Sequence, residues 1–148
     1  MKKLFFLVLV IIGLVLPLSA FAADVGTLFY WGNSVSFVET TMAANSKAEF
    51  LQKFDIGKTW YLTYSVDFYG EKAQLSYLFD DSGLYQVVWY PLSYDQAQAV
   101  KSDFTKNMGR PPTVRSDYVY WIKEHRTEIK IYKVNDELRL IMFRWEEP

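Results

Sequence analysis

From Thr59 onward the chain alternates. In TWYLTYSVDFY (59–69), Trp60, Leu62, Tyr64, Val66 and Phe68 fall on one side, and Tyr61, Thr63, Ser65, Asp67 and Tyr69 on the other. A period of two held over this length is the pattern of a half-buried strand. Gly70-Glu71-Lys72 predicts a turn into AQLSYLF (73–79), and Asp80-Asp81-Ser82-Gly83 predicts another into LYQVVWYPL (84–92). The scheme recurs further on. SDYVYWIK (116–123), a turn at Glu124-His125, TEIKIYKV (127–134), a turn at Asn135-Asp136 and LRLIMFRW (138–145) read as three more strands.

The remaining segments carry helix punctuation. Ser46-Lys47-Ala48-Glu49 has the form of a capping box and predicts a helix from Lys47 to Phe54, stopped by Gly57. Ser93 and Gln96 repeat the device for a helix whose buried stripe is Ala97, Val100, Phe104 and Met108, with Gly109 to cap it and Pro111-Pro112 to prevent continuation. A short helix near Asn33 or Ser34 would use Val35, Val38 and Met42. The expected class is therefore α+β: an antiparallel sheet of about six strands with two to three helices on one face. KAEF (47–50) and KSDF (101–104) stand 54 positions apart, and Ala43/Ala97, Tyr64/Tyr118 and Leu84/Leu138 share that offset. The spacing suggests a tandem duplication of a helix-plus-three-strand unit, residues 39–92 and 93–146.

The first residues change the picture of where the chain works. MKKLFFLVLVIIGLVLPLSAFAAD combines a basic head, an apolar run from Leu4 to Leu16, Pro17 and the small pair Ala20 and Ala22. This is the order of a secretory signal, residues 1–22, cleaved after Ala22. An uncleaved anchor is the competing reading, since the apolar stretch approaches the roughly 20 residues of a spanning helix. Cleavage leaves a single domain, residues 23–148, in the periplasm or secreted, with no stable membrane anchor. There is no cysteine in the chain, so packing alone must stabilise it.

Charge and motif content exclude several classes. Without Lys2 and Lys3 the chain has 14 basic and 17 acidic side chains, interleaved rather than striped, so no nucleic-acid partner is expected. His125, beside Glu124, is the one histidine and falls in a predicted turn; an enzyme reading would rest on that pair, to be tested by His125→Ala. Asp80-Asp81-Ser82-Gly83 fails the calcium-loop pattern and reads as a hairpin turn. Asp67 and Glu71 flank one turn with no opposing acid, and no phosphate loop or zinc motif occurs. No metal, cofactor or catalytic residue is expected. Aromatic residues stand out instead: 24 of the 126 residues after Ala22 are Phe, Trp or Tyr, and several alternate away from the expected core.

FYWGNSVSFVETTM (29–42) and AQLSYLFDDSGLYQVVWY (73–90) resemble a group of small exported bacterial proteins through Trp31, Gly32, Ser34, Tyr77, Phe79, Gly83 and Leu84. The resemblance implies the fold of the β-lactamase inhibitory proteins and of the outer-membrane assembly lipoprotein BamE, helices on an antiparallel meander in partner-binding, mostly non-enzymatic proteins. The lipidated cysteine of the BamE type is missing, so its assembly role does not transfer. The reading that follows is an exported binding module that contacts a partner protein of the cell envelope. Its aromatic sheet face would use Tyr61, Tyr69, Tyr85, Trp89, Tyr120 and Arg139. The alternative is a small apolar-ligand binder with a cavity between sheet and helices, lined by Trp60, Tyr64, Phe68 and Trp121.

Overall fold

The computed structural model describes residues 30–123 and 127–145, so the expected leader and the Glu124-His125 pair lie outside the described residues. Helix α1 (Val35–Ala43) is followed by strands β1 (Ala48–Ile56), β2 (Thr59–Phe68), β3 (Glu71–Asp80) and β4 (Gly83–Leu92). Helix α2 (Tyr94–Met108) then leads into β5 (Thr113–Val114), β6 (Tyr118–Lys123), β7 (Thr127–Val134) and β8 (Glu137–Arg144). All eight strands form one antiparallel sheet in the order β1-β2-β3-β4-β8-β7-β6-β5. The described residues thus form two successive units of one helix and four strands, joined where β4 pairs with β8.

This corrects the expected class. The protein is mainly an eight-stranded antiparallel sheet with two helices among its described residues, not a six-stranded α+β arrangement with up to three. The difference lies at residues 47–54, read as a helix and found in β1 and the turn that enters it, and at Thr113–Val114, the short β5 that no alternation predicted. Phe50, Leu51 and Phe54 have helical spacing, but the strand accommodates them through a bulge. Phe50 pairs with Tyr64 and Gln52 with Thr63, leaving Leu51 as the extra residue. Ser46 caps nothing here; Asn45 accepts from the Lys47 N–H and turns the chain into the strand. Gly57, read as a helix stop, sits at φ 67° in the Gly57-Lys58 hairpin turn. The supposed repeat of KAEF and KSDF therefore matches a strand with a helix. The capping serines, Ser34 and Ser93, are the corresponding starts of the two units.

Local signals account for the two helices. Ser34 accepts from the Phe37 N–H, and Val38 and Met42, four apart, are buried. Ser93 and Gln96 form the reciprocal capping box, and Gly109 takes the left-handed conformation at φ 65°. Both helices cover the same face of the sheet. Val38, Met42, Ala97, Val100 and Phe104 join Leu62, Tyr77, Leu84, Trp121, Ile129 and Leu140 in one core. Gln96, buried, donates from Nε2 to the Phe68 carbonyl at 2.7 Å and fixes α2 to the end of β2.

Trp31, Gly32, Gly83 and Leu84 form a structural clasp. Gly32 donates its N–H to the Leu84 carbonyl (2.9 Å), and the Leu84 N–H returns a bond to Asn33 (2.8 Å). The chain ahead of α1 is thereby laid on the start of β4. The approach is so close that a Cβ on Gly83 would lie 2.3 Å from the Gly32 oxygen. Trp31 crosses to the second unit and donates from Nε1 to Thr127 Oγ1 at 2.8 Å.

Candidate functional site: the open sheet face

No described element covers the face of the sheet opposite the helices. Cross-strand register decides which side chains reach it. Tyr61 pairs with Leu78, Thr63 with Ser76 and Ser76 with Val88. Val88 then pairs with Ile141, Ile141 with Lys130 and Lys130 with Tyr120. Residues opposite one another share a face, so this row runs across the whole sheet.

The centre of the face is a trough of about 220 Å³. Its floor includes Leu78 and Val88, both buried although no helix lies over them. Thr63 Oγ1 and Ser76 Oγ are 2.9 Å apart, and Ser76 Oγ is 3.1 Å from the Tyr90 hydroxyl, so the buried hydroxyls satisfy one another. Phe54, Tyr61, Tyr90, Tyr132 and Arg139 form much of the wall.

Two cations are held against aromatic rings on this face. The Arg139 guanidinium lies 5.2 Å from the Tyr90 ring centre and pairs with Glu137 at 3.1 Å. Its Nε is buried with no hydrogen-bond partner among the described residues. Lys130 Nζ sits 4.5 Å from the centre of Tyr118 and 5.5 Å from that of Phe143, with Glu128 at 3.5 Å. Phe54 and Tyr61 stack nearly flat, 4.6 Å apart with planes 6° from parallel.

The structure places the six sequence-predicted contact residues on two different faces. Tyr61, Tyr120 and Arg139 are on the open face by register. Tyr85 joins them beside Tyr61: burial raises its hydroxyl pKa, Tyr61 and Asp80 add to the rise, and a hydrogen bond with Thr59 opposes it. Trp89 is on the helix face, pairing with Leu75 and stacking on Phe68 at 5.6 Å. The cause is a bulge: Phe79 pairs with Leu84 but Leu78 with Gln86, so Tyr85 is the extra residue and parity reverses after it. Tyr69 has left the strand at φ 51°, and its hydroxyl donates to Asp103 of α2 at 2.7 Å.

Tyr90, Tyr118, Tyr132, Phe143 and Lys130 are open-face residues missing from the sequence-derived set. Alternation with Tyr120 pointed to Tyr118, and the Asn135-Asp136 turn, which sets the β7–β8 register, pointed to Tyr132 and Lys130. Of the expected lining of a helix-side cavity, Trp60 is half-buried, and Tyr64, Phe68 and Trp121 are buried at 3%, 6% and 2% exposure. The last three touch rings rather than space: Tyr64 meets Phe50 and Tyr77, and Trp121 meets Phe104.

Asp80 is a turn residue. Its Oδ1 accepts from the Ser82 N–H, and Arg144 donates to Ser82 Oγ at 2.8 Å. No cluster of three or more metal-ligating side chains occurs among the described residues, and none of their helices is long and apolar enough to cross a membrane. Compared with known proteins, the chain matches no family model, no curated protein and no solved structure.

Proposed function

We propose that this chain is an exported, non-enzymatic binding module whose open sheet face takes a partner protein of the cell envelope. The observation that carries the reading is the composition of that face. Aromatic side chains line it from β1 to β6, and two cations are already held over rings. Such groups bury large area at little entropic cost and keep polar handles, the properties of interface anchors. Tyr61, Tyr85, Tyr120 and Arg139 are the contacts, joined by Tyr90 and Tyr132 at the trough.

The trough's size also favours a protein. At about 220 Å³ it is below the roughly 300–1,000 Å³ of sites that enclose small ligands, and suits one or two inserted side chains.

Photo-crosslinking in the native cell tests this. A probe replaces Tyr85 or Tyr120, with Lys106, exposed on α2, as control. The expected result is one dominant protein adduct from each open-face position and none from Lys106. Adducts no stronger than the control at both positions would remove the proposal and leave the aromatics as sheet packing.

A further inference from the structure

The two edges of the sheet are finished in opposite ways. β5 is two residues long and follows Pro111-Pro112, so it offers little backbone to another strand. β1 is nine residues long, and all but Ala48 are exposed. Phe50, Leu51, Phe54 and Ile56 are 54%, 44%, 39% and 65% exposed along it. Among the described residues no strand pairs with its outer side, and a long apolar edge of this kind is a template for a further strand.

We propose that two copies of this chain associate through β1, antiparallel, with Phe54 opposite Phe54 of the second copy. The sequence past the bulge is complementary to itself in that register. Gln52 meets Ile56 and Lys53 meets Asp55, and the twofold axis forms each pair twice. The axis is perpendicular to the sheet, so each side chain meets a neighbour on its own face. On the helix side, Lys53 is 2.9 Å from Glu39. Asp55 makes no ion pair among the described residues, and association gives it Lys53 of the second copy. On the open side, Phe54 already lies flat on Tyr61, and the second Phe54 continues that row of rings across the junction. A register centred on Leu51 would also oppose Glu49 to Lys53, but it runs through the bulge, where the ladder is irregular. The paired copies place both aromatic faces on one side of a continuous sheet.

Sedimentation velocity of the purified chain across a concentration series tests the association, with charge reversal as the specific probe. Dimers are expected for the parent chain. Lys53→Asp or Asp55→Lys alone opposes like charges twice and weakens association at least about tenfold. The double variant Lys53→Asp/Asp55→Lys restores it to within about threefold. Asp55→Lys does not disturb Glu39, so its loss of association cannot be assigned to α1.

The chain has no cysteine, so single thiols report the register. Phe54→Cys forms a disulfide-linked dimer under mild oxidation, since opposed Cα atoms lie about 4.5–5.5 Å apart. Gln52→Cys does not, its own counterpart being more than about 12 Å away. A monomeric parent at every concentration, a dimer indifferent to charge reversal, or equal crosslinking at Gln52 and Phe54 would each overturn the proposal. None of these outcomes bears on the crosslinks at Tyr85 and Tyr120, which test the open face separately.

Discussion

Gly83 and Tyr69 show how much one position can carry. Gly83 is at φ 94° with the Gly32 backbone where a Cβ would go, so Gly83→Ala must open the clasp that seats α1. The expected cost is about 3 kcal/mol, at the upper end of ordinary substitutions because strain and steric exclusion act together. Gly109→Ala is the control: nothing lies within 4 Å of its Cβ, and the left-handed backbone alone costs about 1 kcal/mol. Urea midpoints of the two variants measure the difference. Tyr69 makes a prediction in pH. Its pKa is held above the ordinary 10.0, first by burial, then by the hydrogen bond to Asp103 and that carboxylate's charge. A raised value means the fold favours the neutral phenol. The stabilisation is complete below the unfolded value and is lost as pH rises from about 10 toward the folded value. Tyr64 and Tyr85 are raised too, burial being the first cause in each. Tyr69→Phe should therefore lose less stability than the parent between about pH 9 and 11, read from urea midpoints at each pH.

At the scale of elements, the helices were legible because their causes are local. The Ser93 hydroxyl accepts from the Gln96 N–H and donates to Glu71 Oε1 at 2.8 Å, while the Gln96 amide returns to the Ser93 N–H. Ser93→Ala should cost about 1 kcal/mol, seen as a lower thermal midpoint. The same kind of signal misled at Ser46. A capping box raises the odds of a helix by an amount smaller than a full ladder of sheet bonds contributes, and β1 has all of β2 to pair with. The strand parities show the same limit. β2 alternates as expected through Leu62, Tyr64, Val66 and Phe68, whereas the bulge at Tyr85 sends Trp89 to the core. A bulge is one inserted residue with no composition of its own, so alternation read along a single strand passes over it.

The whole molecule is two units sharing one sheet and one core. β4 and β8 meet at its centre, and Trp31 spans from the first unit to Thr127 in the second. The units should therefore unfold together. Leu140→Ala, at 2% exposure in β8, should cost about 2–5 kcal/mol. Tryptophan fluorescence and far-ultraviolet circular dichroism should shift together in that variant; separated transitions would mean that the units fold independently. The open face belongs to this scale too, since its aromatics come from β1, β2, β4, β6, β7 and β8, and only the strand order brings them together.

What depends on neighbours within a few residues could be read from the sequence: the Ser34 and Ser93 caps, the Gly109 stop, the hairpin turns after β2, β3 and β7, and the alternation of β2 that names its core face. The sequence also carried an excess of aromatic residues and an absence of catalytic motifs. Tertiary structure decided what depends on distant partners. It made residues 48–56 a strand, joined the two units through β4 and β8, moved Trp89 and Tyr69 to the helix side, and brought Tyr90, Tyr118, Tyr132 and Lys130 onto the face with Tyr61, Tyr85, Tyr120 and Arg139. The physical reason is the same in each case. Caps and turns satisfy backbone groups with atoms close by in the chain, whereas the state of a strand and the direction of its side chains are fixed by the strand that lies beside it.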